Sequence, residues 1–283
     1  MVDSNTIEKL KELSIEARKN ILKLCHKGAT HVGGDLSMAD IVTVLYQYAM
    51  KYDPNNPDLE DRDRFILSKG HGAGGLYVAL AMAGYFTVDY MLDEYRKFGS
   101  PFGEHPSGEI PGVEISTGSL GHGLPISIGM ALSARLDGRK NRVYVLMGDG
   151  ETQEGSVWEG AMAAKHYKLG NLVAFVDRNM ISLDGRTEEL MSLEPYPDKW
   201  KAFGWNVRVI DGHSIEELVE TIDNLPPVDS DLPTVVIANT VKGKGVPSME
   251  DNVNWHAGSI DEEFLNECFM ILDGDSQMGR GEK

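Results

Sequence analysis

The chain is short of positive charge. Its 283 residues carry 27 Lys and Arg against 44 Asp and Glu, a formal net charge of −17. That balance argues against nucleic acid and against an anionic membrane surface as partners. An anionic ligand would need local cations, a metal ion or helix N-termini. Cysteine is scarce as well: Cys25 and Cys268 lie far apart in sequence, in helical contexts, and read as two core thiols rather than a disulfide framework. No apolar run approaches the roughly 20 residues that a bilayer span requires. Residues 1–10 are polar and carry acids, so they do not form a signal peptide, and a cytoplasmic protein is expected. Repeats and low-complexity linkers are absent. With 41% hydrophobic residues, however, the chain can bury a substantial core.

What is present is an alternation of strand and helix. Ile7, Leu10, Leu13, Ala17, Ile21 and Leu24 recur every three or four residues and predict one amphipathic helix. A glycine-rich loop over residues 28–34 follows, with Ser37 as the N-cap of a helix over residues 38–50. Arg64-Phe65-Ile66-Leu67 reads as a strand closed by Ser68-Lys69-Gly70-His71-Gly72. Residues 98–123 are Gly- and Pro-punctuated without periodicity, and a loop of that length in a compact domain is usually functional. Strands are also expected at residues 143–147, 172–176, 207–210 and 235–238, with helices over residues 124–135, 156–169 and 215–222. The fold class is α/β: a doubly wound, mainly parallel sheet with helices on both faces, in one domain over residues 1–272. Residues 273–283 read as a frayed polar tail.

Two polar corners hold the chemistry. The run Val143-Tyr144-Val145-Leu146-Met147 stops at Gly148-Asp149-Gly150-Glu151, and Leu172-Val173-Ala174-Phe175-Val176 stops at Asp177-Arg178-Asn179. A helix between them makes a β-α-β unit that places an oxygen ligand at the carboxyl end of each strand, the edge where open parallel sheets bind ligands. Hard divalent cations want carboxylate, amide and carbonyl oxygens. A glycine after the aspartate lets a diphosphate approach the backbone. Gly-Asp-Gly alone is also an ordinary turn; the Asn179 partner 30 residues on is what raises it above one. Four of the eight histidines, His31, His71, His105 and His256, read as lying in glycine-flanked loops rather than on apolar faces. A lone loop histidine is usually just solvated, but four in successive loops of one sheet are harder to dismiss.

Gly-Asp-Gly followed about 30 residues later by Asn resembles the thiamine diphosphate signature. Residues 28–40, 67–77, 103–130, 149–159 and 177–185 together resemble transketolase, specifically its N-terminal, diphosphate-binding half. The resemblance implies that Asp149, Asn179 and the carbonyl of Ile181 hold Mg2+ or Ca2+ against the cofactor, with Gly150 and Glu151 beside its diphosphate. His71, in Ser-x-Gly-His-Gly, would contact the diphosphate and the ketose. His31 would lie by substrate hydroxyls, and His105, in the His-Pro pair, would help move protons on substrate oxygens. His256 after Trp255 matches a histidine facing both diphosphate and substrate. Gly118, Ser119 and Leu120 belong to a Thr-Gly-x-Leu-Gly segment whose backbone reaches the aminopyrimidine ring. Glu154 matches a buried interface carboxylate linking paired sites. Two departures, Thr30-His31-Val32-Gly33 for Gly-His-Pro-Gly and Leu120-Gly121-His122 for Leu-Gly-Gln, bear on the donor sugar.

The resemblance also implies a missing part. The catalytic glutamate and most substrate-phosphate arginines of the family belong to a second, pyrimidine-binding domain, and after residue 260 there is room only for a short helix and the tail. The expectation is the N-terminal subunit of a split transketolase, inert alone. It would assemble as α2β2 with a separately encoded C-terminal subunit, moving two-carbon ketol units between sugar phosphates as in the pentose phosphate pathway. A pair dedicated to an unusual ketose, such as a sulfonated or branched sugar phosphate, is one alternative. Others are a 1-deoxyxylulose-phosphate synthase-like or 2-oxo acid dehydrogenase α-subunit, and a non-catalytic binding module.

Overall fold

Five parallel strands form the sheet: β1 (Arg64–Leu67), β2 (Val143–Gly148), β3 (Leu172–Arg178), β4 (Asn206–Asp211) and β5 (Thr234–Asn239), in the order β1-β2-β3-β5-β4. The structure, a computed structural model, describes residues 2–278. Alternation along the strands builds two apolar layers. Phe65, Tyr144, Leu146, Val173, Phe175 and Val236 face one way, against helices Ser4–Lys27, Ala73–Met82 and Ile215–Asp223. Ile66, Val143, Val145, Met147, Ala174 and Ile237 face the other, against helices Gly123–Leu136, Gly155–His166 and Tyr196–Ala202. Strands buried on both faces need this unbroken Val, Ile and Leu content, and helices then cover both sides. The doubly wound class expected from the sequence is what the chain adopts. Both cysteines are buried and free. Among the described residues no helix is long and apolar enough to cross a membrane.

The β-α-β unit forms as expected, and its strands pair with Val143 beside Leu172 and Gly148 beside Asp177. Residues 98–122 are irregular, as expected. One segment differs. Helix Val32–Ser37 begins inside the expected loop, Met38 interrupts it, and helix Ala39–Val44 runs on into a π-turn over Leu45–Ala49. Ser37 is therefore no N-cap: its hydroxyl donates to Asp177 Oδ2 at 2.6 Å, a partner 140 residues away. Gly33 permits the early helix, because a Cβ there would lie 2.5 Å from the carbonyl oxygen of Trp255. The last helix runs to Met278, so residues 273–278 of the expected tail carry helical backbone, and residues 279–283 lie outside those described.

Candidate active site

Asp149 follows β2 directly, and its carboxylate is fixed by three donors. Oδ1 accepts from the Gly150 N–H at 2.9 Å, and Oδ2 accepts from the Met180 N–H at 2.9 Å and the Thr187 hydroxyl at 3.0 Å. A carboxylate offers about four lone-pair sites, so capacity remains for a cation. Burial, reinforced by the nearby Asp177, pushes Asp149 above its ordinary pKa. A positive charge in the cavity would relieve that.

Asn179 is oriented from behind. Its Nδ2 donates to Asp177 Oδ2 at 3.2 Å and Ser37 Oγ at 3.3 Å, while Oδ1 accepts from the Ile181 N–H at 3.2 Å. A carboxylate accepts only, so the amide nitrogen must face Asp177 and the oxygen is the end available to a metal. Asp177 is fully buried and also accepts from Lys69 Nζ at 2.6 Å and from the Thr240 hydroxyl. Burial alone would raise its pKa, but the Lys69 ammonium together with the Ser37 and Thr240 hydroxyls outweighs burial and holds it below the usual range. Met180 has φ of +65°, a corner strained for a non-glycine residue and characteristic of functional sites.

The carbonyl of Ile181 accepts from Lys242 Nζ at 3.0 Å, and the same ammonium lies 2.7 Å from His256 Nδ1. Burial, and then repulsion from Lys69, pushes Lys242 down to about 8. Among the described residues no three His, Cys, Asp or Glu side chains form a metal cluster. A cation here would draw on one carboxylate, one amide and one carbonyl, a donor set suited to Mg2+ or Ca2+. A side-chain ammonium already sits against the Ile181 carbonyl. The residues present fit the group.

Three histidines cluster beside Lys242. Ring centroids of His31 lie 5.1 Å from His71 and 5.4 Å from His256, and those of His71 and His256 are 6.0 Å apart. Burial and the adjacent Lys69 hold His71 far below its usual pKa; burial and Lys242 take His256 to about 4; burial lowers His31. All three are neutral at pH 7, each with one N–H donor and one lone pair. The pH consequence has a definite sign. The unfolded chain binds these protons first, so ligand-free stability is full above about 6.5 and falls as pH drops toward about 4. Urea midpoints at pH 7 and pH 5 should show a smaller drop for His71→Gln than for wild type. Equal drops would exclude the buried ring as a source of the pH dependence.

A cavity of about 290 Å³ is lined by His31, His71 and His256 and by Gly118, Leu120, Asp149, Gly150, Glu151, Asn179 and Ile181. Those ten expected residues meet. His105 does not line the cavity: it is exposed beside it, with its ring against Gly118, where a Cβ would fall 2.7 Å from Cδ2. Ser119 turns its hydroxyl toward His122 Nδ1 at 3.2 Å, and Glu154 is exposed ahead of helix Gly155–His166. The carboxylate of Glu151 is consumed structurally, accepting from Gly121 N–H at 2.9 Å, Gly148 N–H at 3.1 Å and the Ser68 hydroxyl. Sequence reasoning misses the two buried lysines in the lining, Lys69 and Lys242. The signal that could have found them is a cation in a glycine-rich turn just past a strand end, in a chain short of cations.

Over residues 2–272 the chain matches the family described as transketolase, thiamine diphosphate binding domain. It is 44% identical over 253 residues to a subunit of the apulose-4-phosphate transketolase of Phocaeicola vulgatus, covering 89% of each chain. A 6-deoxy-6-sulfo-D-fructose transketolase subunit from a Clostridium species is 42% identical over 247 residues, 87% of this chain and 89% of that one. The crystal structure of Campylobacter jejuni transketolase superposes with a TM-score of 0.86 at 28% identity, covering 96% of this chain. This chain spans only 43% of that transketolase.

Proposed function

The chain belongs to the transketolase thiamine diphosphate-binding domain family, and on that premise we propose that it is the cofactor-diphosphate subunit of a two-subunit transketolase. The observation that carries the reading is one cavity whose lining brings the Asp149, Asn179 and Ile181 oxygens together with three neutral histidines. Thiamine diphosphate, when bound, supplies the electron sink for cleaving a carbon–carbon bond. Asp149, Asn179 and the Ile181 carbonyl hold Mg2+ or Ca2+ against its diphosphate. Lys242, with Lys69, brings positive charge to the site in a chain that is acidic overall. The backbone of Gly150 and Glu151 meets the diphosphate, and the Gly118-Ser119-Leu120 segment meets the ring end.

His31, His71 and His256 then hold substrate oxygens and exchange protons with them, neutral imidazoles being able to do either. His105 acts from the rim. His105→Ala is expected to slow turnover about 100-fold, in the usual range for a positioned acid–base group, with cofactor affinity unchanged. An unaltered rate would remove His105 from the catalytic set.

A partner subunit carries the pyrimidine-binding domain and its glutamate, Glu154 lies at a subunit interface, and the pair assembles as α2β2. Support comes from the relatives named as subunits, whose lengths this chain nearly matches. Those relatives also favour a more specific reading, an unusual ketose as donor, since they are named for apulose 4-phosphate and for 6-deoxy-6-sulfo-D-fructose. The test is ketol transfer by the reconstituted pair across a donor panel containing those two sugars and ordinary ketose phosphates. Transfer from an unusual donor alone supports the specific reading; transfer from none rejects transketolase activity.

A further inference from the structure

Behind the cavity the chain buries an ionic cluster that the chemistry above does not use. Arg18 and Asp40 are 6% and 4% exposed. Arg18 Nη1 donates to Asp40 Oδ1 at 2.9 Å and Nη2 to Oδ2 at 2.5 Å, and the Ser14 hydroxyl donates to the same carboxylate. His213 Nδ1 lies 2.8 Å from Asp40 Oδ2. Its other nitrogen, Nε2, accepts from the Val241 N–H at 2.8 Å. A main-chain N–H only donates, so Nε2 carries the lone pair and the ring proton sits on Nδ1, pointed at Asp40. Burial opposes ionisation of Asp40, but Arg18 and His213 outweigh it and hold the carboxyl well below its ordinary range.

Such a cluster costs desolvation and adds little net stability. Its contacts beyond itself explain it better. His213 holds the N–H of Val241, and Arg18 Nε donates to the carbonyl of Lys244 at 3.1 Å. Gly243 N–H is tied to the Gly33 carbonyl at 2.9 Å. These anchors bracket residue 242, the one side chain of residues 241–244 that lines the cavity. We propose that His213, held by Asp40 and Arg18, is a positioning residue that sets Lys242 against the Ile181 carbonyl and so aims its ammonium at the diphosphate end of the site.

The inference rests on the reading that this cavity takes thiamine diphosphate. His213→Asn is the informative variant, since a shorter amide can still donate to Asp40 but cannot reach the Val241 N–H. In the reconstituted two-subunit enzyme, calorimetry with thiamine diphosphate and Mg2+ should show affinity about 10- to 100-fold weaker, the usual cost of losing a residue that supports a direct contact. Lys242→Met should weaken it at least as much, and the double variant no further than Lys242→Met alone, because the two act through one group. A purely structural role predicts additive losses, or a lowered melting temperature with intact affinity, and either overturns the proposal. Acetic anhydride labelling of the ligand-free chain, read by mass spectrometry, reports on Lys242 without any cofactor. His213→Asn should change labelling of Lys242 several-fold and leave that of Lys69, anchored on Asp177, as it was; parallel changes at both, or none, count against positioning. If the wild-type pair binds no thiamine diphosphate, the functional reading fails, and the labelling still decides whether His213 holds Lys242.

Discussion

Asp149→Ala is expected to weaken Mg2+-dependent binding of thiamine diphosphate by about 100-fold or more, the scale of losing a charged contact at a buried site. Asp149 is the one carboxylate among the three oxygens proposed for the metal. Asn179 and the Ile181 carbonyl bring dipoles but no charge. The alanine variant also leaves the Met180 N–H and Thr187 hydroxyl without their acceptor, so part of any effect is local disorder of residues 180–187. Asp149→Asn separates the two contributions. With its one oxygen toward those two donors it keeps them paired, gives up the Gly150 N–H and removes the charge, so affinity should still collapse. Ligand-free stability near pH 7 should rise instead, because burial and Asp177 both disfavour the Asp149 anion. A variant more stable when empty and unable to retain its ligand is what a functional charge predicts. Calorimetry with and without Mg2+, beside thermal melts, checks both halves; unchanged metal-dependent affinity would reject the metal assignment.

The strands and the edge they present are legible because period-two burial and glycine corners are local signals. Gly148-Asp149-Gly150 and Asn179 can be read as neighbours from one β-α-β unit. The support behind them cannot. Asp177 orients Asn179, yet its partners Ser37, Lys69 and Thr240 come from three other segments, 140, 108 and 63 residues away. Only the strand order β1-β2-β3-β5-β4 brings them together. Lys69 escapes notice inside its own motif, because a lysine in a loop ordinarily reads as solvated. Glu151 shows a role that its motif does not reveal. Its place in the Gly-Asp-Gly-Glu run suggests a cofactor contact, whereas its oxygens join β2 to the segment around Gly121. His105 is identifiable by its loop, but no local pattern tells that it stands beside the cavity rather than in its wall.

The purified chain alone is expected to show ketol transfer at least 100-fold below that of the reconstituted pair, the low end of what a missing acid–base group costs. The reason lies first in the two carboxylates that line the cavity, Asp149 and Glu151. Activation of the cofactor at its pyrimidine end calls for an acid with a free oxygen. Asp149 is held by Gly150, Met180 and Thr187, and Glu151 by Ser68, Gly121 and Gly148. Asp177 is bound to Lys69, Ser37, Thr240 and Asn179, and Glu104 near His31 pairs with Arg96 at 3.3 Å. Releasing any of the buried ones would strand buried donors, which costs about 1–3 kcal/mol each. Supplying the acid from a second chain avoids that cost. Leu183 lines the cavity while 64% exposed, and Leu190 and Met191 are 52% and 61% exposed, an apolar margin suited to being covered. Titrating the partner into a fixed amount of this chain should raise the rate to a plateau at one partner per chain, as an α2β2 assembly requires. A plateau at another ratio would reject that stoichiometry, and comparable turnover by the chain alone would reject the shared site.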